Sequence, residues 1–454
     1  MANRASKVGF VWSCVLFLSC TPLVFLALVN PFYGYRISAS NGAIGSSDVS
    51  TRLMAVASLP PGNHSASSFL LNAEHSFPFD ESSMLRSCDF RSGKMDVSLV
   101  QEWVNVISDW LQPYTGDGIW KNDVDDAFDN SGDHIIVQYI NGSLYLLDPG
   151  TLCTTGGAEQ KLFLTWRCQA LWSILNATVA QDHTGCNIPD FEFVFSVDDL
   201  PRYRSQSTTL NHKPMPGFGA IGCWQKGFLS FPMFGSHAAW DIREVDKHIE
   251  EWMDQNPRPF SERQAKVVFR GGSRACSFAP ELDTLLDWEE SAFTSASPPP
   301  CGRDLLKKIS HKHPSKIDFG DDHISMRAQE DQYKYTITVE GRGGWTDRLF
   351  RLMFHDVGLM IQEHPCPEWY EYMFKPFQHY IPVSNNFDNV IGRLGWAEHH
   401  PKIVEKIIKE KKTQAKRVLS QKGITTFSAV LWTMYSSLLK YDVERREGAL
   451  EWKY

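Results

Sequence analysis

The chain has 454 residues, with 45 basic and 53 acidic side chains and a formal net charge of −8. Hydrophobic residues make up 43% of the chain and aromatic residues 13%, which excludes a largely disordered polypeptide. The mild acidity argues against a general nucleic-acid-binding protein, and the mean hydropathy of −0.29 excludes a polytopic membrane protein. A chain of this length is typical of about two to four domains.

The N-terminus predicts the compartment. Residues 1–7 carry Arg4 and Lys7, whereas residues 8–29 are rich in apolar side chains and hold no charge. This stretch is long enough to span a bilayer core of about 30 Å. Positively charged residues precede this stretch, and none follows it closely. This asymmetry predicts a cytoplasmic tail at 1–7 and a single-pass type II transmembrane anchor at 8–29. The alternative is a cleaved signal peptide, and both interpretations place the remaining chain in the lumen of the secretory pathway.

Eight of the ten cysteines follow the apolar stretch, and an even number of cysteines in an oxidising compartment is typical of disulfide bonding. One expected pair, Cys276 with Cys301, would close an insert at 275–300 that runs acidic and then Ser- and Pro-rich. The C-terminal sequence EWKY is not a KDEL-type signal, which favours a membrane-held Golgi protein over a soluble resident of the endoplasmic reticulum. Three N-glycosylation sequons agree with this compartment, at Asn63, Asn141 and Asn176.

Beyond the anchor, residues 30–87 are rich in Ser, Ala, Asn and Gly and predict a flexible stem. From residue 88 onward, helix-like and strand-like patterns alternate, which predicts an α/β fold. Strands are expected at 135–140, 143–147, 191–197, 267–269, 335–339 and 358–362. Helices are expected at 103–110, 161–180, 347–355 and 402–421, the last one stopped by Gly423. An apolar stripe from 427 to 438 predicts a final helix that packs on the body of the protein.

A glycine-rich loop with two arginines follows the strand expected at 267–269. Its residues are Arg270, Gly271, Gly272, Ser273 and Arg274. Glycines let a backbone approach a phosphate closely, and guanidinium groups neutralise its charge. Ligands of open α/β sheets bind outside the carboxyl ends of the strands. The loop therefore predicts an anion site, and the alternative is a tight turn with surface arginines.

A second loop of the same kind, residues 341–348, follows the strand expected at 335–339. It leads into a predicted helix, whose first free N–H groups favour an anion, and Arg342 and Arg348 add positive charge. The loop lacks the lysine of a Walker A motif, and no ribose-binding carboxylate accompanies it as a nicotinamide site would require. Two such loops together favour a diphosphate ligand.

Several acidic residues were considered for catalysis. Asp198 and Asp199 follow the strand at 191–197, where one of them could serve as a lone general base, with a solvated turn acid as the alternative. Neighbouring strand residues point to opposite faces, so these two would not flank one bond as a glycosidase pair does. The cluster of Asp123, Asp125 and Asp126 resembles a metal-binding triplet, but it is typical of an acidic loop, and no metal site is predicted. The sequence also lacks the GxSxG motif of a serine hydrolase.

Taken together, the motifs resemble those of glycosyltransferase family 90, which includes capsule-associated (CAP10-type) proteins and protein O-glucosyltransferases. The resemblance covers about residues 88–440. The segments that carry it, in the order of the family, are 111–119, 193–201, 268–274, 303–314, 345–351 and 368–383.

This resemblance implies a GT-B-like fold, with two Rossmann-like domains that face a cleft, and transfer of glucose or xylose from a UDP-sugar to a hydroxyl without a metal ion or other cofactor. It implies that Asp199 is the general base and that Ser273 and Arg303 contact UDP. The expected domains are an acceptor-side domain at 88–262, a nucleotide-sugar-binding domain at 263–422 and a C-terminal helix at 423–454. The expected diphosphate loop comprises Gly343, Gly344, Trp345, Thr346, Asp347 and Arg348.

The expected function is inverting transfer of xylose or glucose to a glycan or protein, with Arg270 and Arg274 also at the donor. Acceptor identity does not carry over, because the region before residue 191 does not resemble the glucosyltransferase members. The insert at 275–300 also separates Arg274 from Arg303. The alternative function is a non-catalytic member that binds a glycan or protein in the same cleft.

Overall fold

The structure is a computed structural model of the chain, and its described residues all belong to one unit, residues 60–454. They are residues 88, 95–129, 134–148, 153, 159–180, 185–197, 209–210, 213–214, 217–219, 228–232, 241–254, 256–273, 278–279, 284–285, 300–341 and 346–452. The predicted anchor at 8–29 and the predicted stem at 30–87 lie outside them. None of the helices in this described part is long and apolar enough to cross a membrane.

The α-helices of these residues, numbered in chain order, are α1 Val97–Leu111, α2 Lys121–Asp129, α3 Glu159–Val179, α4 Val245–Met253, α5 Gly302–Lys312, α6 Met326–Gln332, α7 Asp347–Leu352, α8 Val390–His399, α9 Pro401–Val418 and α10 Gln421–Ser436. The strands are β1 His134–Ile140, β2 Ser143–Leu147, β3 Phe191–Ser196, β4 Thr209–Leu210, β5 Lys213–Pro214, β6 Gly217–Gly219, β7 Phe228–Ser230, β8 Gln264–Arg270, β9 Phe278–Ala279, β10 Thr284–Leu285, β11 Ile317–Gly320, β12 Tyr333–Thr338, β13 Gly358–Gln362, β14 Ile381–Val383 and β15 Leu450–Glu451. This mixed α/β architecture confirms the prediction of an α/β fold, whereas the GT-B-like arrangement of two domains stays a prediction.

The first of the two larger sheets has six strands in the order β15-β2-β1-β3-β6-β7. Strands β1 and β2 form the predicted antiparallel hairpin, and its two turn residues, Asn141 and Gly142, both have positive φ angles of 48° and 88°. Two such residues are what a two-residue type I′ turn requires. Strands β3, β6 and β7 pair in parallel, so their carboxyl ends share one edge of the sheet.

The core of this half lies between β3 and the C-terminal helix α10. Every residue of β3 is buried, and the rings of Phe191 and Phe193 stack on Trp432 of α10 at centroid distances of 4.5 Å and 4.3 Å. Such aromatic pairs contribute beyond their buried area. The prediction that the last helix packs on the body of the protein is therefore confirmed.

The C-terminal tail is tied to the other face of this sheet by a charged cluster. Arg446 contacts the buried carboxylate of Glu192 on β3, with Nε–Oε2 and Nη2–Oε1 distances of 2.6 Å and 2.8 Å, and it also pairs with Asp125 of α2. Gln138 of β1 donates to Glu192 at 2.7 Å. Because a buried carboxylate is stable only when it is paired, the tail completes the fold of this sheet.

The prediction that Gly423 stops the helix before it was wrong. Helix α9 ends at Val418, and Gly423 lies in the first turn of α10. Ser420 begins that helix, because its Oγ accepts a hydrogen bond from the Gly423 N–H at 3.1 Å. A Cβ at position 423 would lie 2.2 Å from the carbonyl oxygen of Val418. The glycine is thus needed for close approach between two helices rather than for helix termination.

The second sheet has five parallel strands in the order β11-β8-β12-β13-β14. When these five strands are numbered 1 to 5 by their order in the chain, their order across the sheet is 2-1-3-4-5. This is a strand order of doubly wound α/β sheets. The chain leaves β8 to form β11 on one side, and it then returns to form β12 on the other side of β8. The crevice between the carboxyl ends of β8 and β12 is therefore the topological switch point, where ligands of such sheets bind.

Two disulfides join described cysteines, Cys88 with Cys186 and Cys153 with Cys168. Cys301 and Cys366 are also disulfide-bonded. These bonds confirm the predicted disulfide framework. The expected partner of Cys301, Cys276, lies outside the described residues, so that pairing remains a prediction.

Candidate active site

Both glycine-rich loops predicted as anion sites start at the switch point. The first follows β8 and includes Gly271, Gly272 and Ser273, and the second follows β12 and returns at Thr346, the residue before α7. The parallel pairing of Tyr335 with Val267 fixes the register of β12 on β8, so the two loops leave the sheet side by side. The strand order therefore brings together two loops that lie about seventy residues apart in the sequence.

Arg303 connects the two loops. It lies in the first turn of α5, where its Nη1 donates to the carbonyl of Gly272 at 3.0 Å and its Nε donates to the carbonyl of Glu340 at 3.1 Å. The guanidinium also lies over the ring of Phe269, at 5.5 Å from the ring centroid. Arg303 therefore holds a positive charge between the two loops, and its predicted contact with UDP is untested.

Arg348 reaches the same place from α7. Its guanidinium lies 5.0 Å from the centroid of the Phe269 ring, and its Nη2 donates to the carbonyl of Arg270. Burial lowers the pKa of Arg348, which nevertheless stays charged because a guanidinium does not deprotonate in proteins. A poorly hydrated cation of this kind gains more from an anionic partner than a solvated one does. The guanidinium groups of Arg303 and Arg348 thus lie against the same aromatic ring at the switch point.

Arg270 has a different environment from the other two arginines. Its Nη2 lies 2.9 Å from a carboxylate oxygen of Asp318 and its Nε 3.1 Å from one of Asp322. Its Nη1 also donates to the carbonyl of Asp318 at 2.9 Å. Gly320 permits this approach, since a Cβ there would lie 2.2 Å from the Asp322 carboxylate. The charge of Arg270 is thus balanced at the β8–β11 edge, and its predicted contact with the donor is untested.

The remaining predicted residues divide into two groups. Ser273 donates through Oγ to the Asp304 carboxylate at 2.7 Å, which ties the first loop to α5. Thr346 is the N-cap residue of α7 and Asp347 its first residue. The other predicted residues lie outside the described part of the chain, and their roles remain predictions: Asp199, Arg274, Gly343, Gly344 and Trp345.

Glu340 lies two residues after the end of β12, at the switch point. Its side chain is almost fully buried, with 3% of the residue exposed. Burial raises the pKa of this carboxyl well above its usual range, against the opposing effect of the nearby Arg303.

A second acidic pair supports the start of α7. Glu368 accepts a hydrogen bond from the backbone N–H of Thr346 at 3.2 Å, and Glu371 accepts one from the N–H of Glu368 at 2.6 Å. Burial raises the pKa of Glu368 well above its usual range and that of Glu371 to about 7. These glutamates position the returning end of the second loop. Sequence alone offers no signal for this, because their burial depends on the tertiary fold.

The far end of α7 is held by a buried lysine. Lys411 of α9 is fully buried, and its Nζ donates to the carbonyls of Leu352, His355 and Val357 at 2.9, 2.9 and 3.1 Å. Carbonyls at the end of a helix have no partner within the helix, and a cation is their most favourable partner. Lys411 thus fixes the helix that carries Arg348.

Beyond the carboxyl end of β3, the described residues stop at Val197 and resume at residue 209. The buried Arg167 of α3 donates through Nη1 to the carbonyl of Val197 at 2.6 Å. This contact fixes the chain immediately before Asp198 and Asp199.

The acidic triplet near residue 125 has structural contacts. Asp123 accepts a hydrogen bond from the N–H of Trp120 at 2.8 Å, and Asp125 pairs with Arg446 of the C-terminal tail.

Comparison with known proteins agrees with this geometry. Residues 98–453 match the sequence family described as "Glycosyl transferase family 90". The chain belongs to this family. The match includes both sheets, the switch point and the C-terminal helix, so the family assignment covers every described part of the candidate site.

Among characterised proteins, this family 90 chain is similar to protein O-glucosyltransferase 1 of Homo sapiens, with 24% identity over 285 residues. It is 25% identical to the Bos taurus protein of that name over 284 residues. Each alignment covers 58% of this chain and 66% of the relative, just under two thirds of its length. Protein O-glucosyltransferase 3 of Mus musculus is 31% identical over 91 residues, which are 19% of this chain and 17% of the relative.

Proposed function

We propose that this chain transfers a sugar, glucose or xylose, from a UDP-sugar to a hydroxyl of a glycan or protein. Membership of glycosyl transferase family 90 supports the reaction class. The observation that carries the choice of donor is the switch point, where Arg303 joins the two glycine-rich loops and Arg348 approaches the same aromatic ring. A nucleoside diphosphate matches this combination of backbone N–H groups and paired guanidinium groups.

In this proposal the second sheet holds the donor and the first sheet presents the acceptor, in a GT-B-like arrangement. Asp199 takes the proton of the acceptor hydroxyl, and that oxygen attacks the anomeric carbon from the face opposite UDP. The bond to UDP breaks, configuration inverts, and the negative charge of the leaving diphosphate develops beside Arg303 and Arg348. Charge stabilisation of this kind is commonly the largest contribution to catalysis. No metal ion is required.

The proposal includes a luminal location in the secretory pathway. The disulfides of the described part suit an oxidising compartment, and the predicted anchor at 8–29 would hold the protein to a Golgi or endoplasmic reticulum membrane. The names of the relatives point to glucose as the first sugar to test and to a protein hydroxyl as one class of acceptor.

The test is a UDP-release assay of the purified full-length chain with UDP-glucose and UDP-xylose, each with and without glycan and glycoprotein acceptors. We expect one of the two donors to be consumed selectively. The Asp199→Asn variant should abolish transfer and leave UDP affinity nearly unchanged, because it removes the base and not the donor site. Substantial turnover by Asp199→Asn would show that Asp199 is not the base. If UDP binds and no donor is consumed under any condition, the chain is a non-catalytic binding member.

A further inference from the structure

The turn of the β1–β2 hairpin contains one of the three N-glycosylation sequons of the chain. This sequon is Asn141-Gly142-Ser143. In a secreted protein, a sequon of this kind accepts an N-linked glycan where it lies in a surface loop. The other two sequons differ in structure, because Asn63 lies outside the described residues and Asn176 lies within helix α3.

The hairpin turn is open to solvent. Asn141 and Gly142 are exposed, and Ser143 is half-buried at the start of β2. A Cβ at position 142 would meet no atom within 4 Å. An N-linked glycan is bulky and hydrophilic, so its acceptor asparagine needs open space of this kind.

The hydrogen bonds of the turn leave the side-chain amide of Asn141 unused. The backbone N–H of Asn141 donates to the Asp190 carboxylate at 2.9 Å, and the ladder pairing of Ile140 with Ser143 closes the hairpin through the backbone. Within the described part of the chain, the Asn141 amide forms no hydrogen bond. Attachment of a glycan to this amide therefore breaks no contact of the described fold.

The sequon in α3 is less accessible than the one in the hairpin. The side chain of Asn176 is exposed, but Thr178 is fully buried, and its hydroxyl donates to the carbonyl of Ile174 at 2.6 Å. The hydroxyl of the third residue is part of the motif, so the enzyme that attaches the glycan must reach it as well as the asparagine. Of the two described sequons, only the one in the hairpin keeps both residues at least partly exposed after folding.

The hairpin turn lies far from the edge of the first sheet where the acceptor is expected. Strand β1 is antiparallel to β3, so Tyr139 lies beside Phe191 at the amino end of β3. His134, at the other end of β1, lies beside Ser196 at the carboxyl end of β3, which precedes the proposed base. A strand residue advances about 3.4 Å, so the seven residues of β1 separate the turn from the carboxyl edge by roughly 20 Å. A glycan on the turn therefore leaves that edge open.

We propose that Asn141 carries an N-linked oligosaccharide. The donor is an oligosaccharide joined to a lipid through a diphosphate. The Nδ2 atom of Asn141 forms a bond to the anomeric carbon of the first sugar, the bond between that carbon and the lipid diphosphate breaks, and one amide proton is released. This proposal rests on the luminal location that is part of the proposed function, because the transfer takes place in the lumen of the secretory pathway.

The test is glycopeptide mass spectrometry of the full-length chain produced in eukaryotic cells. Enzymatic release of the glycan in heavy-oxygen water marks an occupied asparagine as labelled aspartate. Asn141→Asp removes the acceptor amide and keeps a residue that tolerates the positive φ of this turn, which is 48°. Ser143→Ala removes the hydroxyl of the motif, Ser143→Thr retains it, and Asn176→Asp is the matched control at the other described sequon.

We expect a glycan at position 141 in the wild type, in Ser143→Thr and in Asn176→Asp, and complete loss of that glycan in Asn141→Asp and Ser143→Ala. Unmodified Asn141 in a wild-type chain that is glycosylated at another sequon would overturn this proposal alone. Absence of glycan from every sequon would overturn it together with the luminal location. Titration of the same preparation with UDP tests the proposed donor separately, since a chain that carries the glycan at Asn141 and does not bind UDP would support this proposal and refute the proposed function.

Discussion

The buried acid Glu371 should make stability depend on pH in a defined direction. Its side chain is enclosed beside Glu368, at the place where the second loop returns to α7. Burial raises the pKa of this carboxyl from its ordinary value of 4.5 to about 7. Between these two values the folded chain therefore binds a proton that the unfolded chain has released.

The sign and size of the effect follow from linkage. Because the pKa of Glu371 is raised in the folded state, its contribution to the free energy of unfolding is fully present below pH 4.5. This contribution is lost as the pH rises through 7. A pKa that moves from 4.5 to about 7 corresponds to a loss of roughly 3 kcal/mol in the free energy of unfolding. Replacement of Glu371 by Gln removes the titrating group and keeps a neutral side chain of the same shape.

The assay is calorimetric unfolding of wild type and Glu371→Gln from pH 4.5 to 8. We expect the Gln variant to gain stability relative to wild type as the pH rises, by roughly 3 kcal/mol over the range. Glu405→Gln, at an exposed position of α9, is the control and should run parallel to wild type. Parallel profiles for wild type and Glu371→Gln would show that the acid is not buried as described.

Three further substitutions test the contacts that hold the site. Lys411→Met should lower the free energy of unfolding by about 3 kcal/mol or more, because it leaves three buried carbonyls unpaired. Lys402→Met, at an exposed position of the same helix, should have little effect. Comparable losses in both variants would refute the capping role of Lys411. Gly423→Ala should lower the free energy of unfolding by about 1–3 kcal/mol, because the new Cβ meets a backbone carbonyl. Gly392→Ala, with open space around it, should raise the free energy of unfolding by up to about 1 kcal/mol. Thermal unfolding of both variants measures this difference. Arg446→Met should lower the free energy of unfolding by roughly 3 kcal/mol, because the buried Glu192 loses its cationic partner. A denaturation curve that matches that of the wild type would contradict this.

The parts of the fold that sequence predicted are those encoded locally. The hairpin at Asn141 and Gly142 needs only a two-residue turn between two apolar strands, and both strands formed as expected. The two glycine-rich loops were recognisable because each follows a short β-branched or aromatic strand. Their placement side by side depends on the strand order, which no local pattern specifies.

The parts that sequence missed depend on distant partners. The loop motif gave no signal that two carboxylates about fifty residues later in the chain, at 318 and 322, pair with Arg270. The burial of Glu340 and Glu371 likewise arises from tertiary packing, so their raised pKa values had no signal in the sequence. Gly423 was misread because a glycine at a close contact and a glycine at a helix end look the same in sequence.

The central claim is that a nucleoside diphosphate binds at the switch point between β8 and β12. Isothermal titration of UDP into the full-length chain tests it most directly, with Arg303→Ala and, on the exposed side of the same helix, Lys308→Ala as a matched control. We expect UDP to bind to wild type and to Lys308→Ala with similar affinity, and to bind at least about tenfold more weakly to Arg303→Ala because a charge-assisted contact is lost. Absence of UDP binding by the folded wild type, or equal affinity in Arg303→Ala, would contradict the claim.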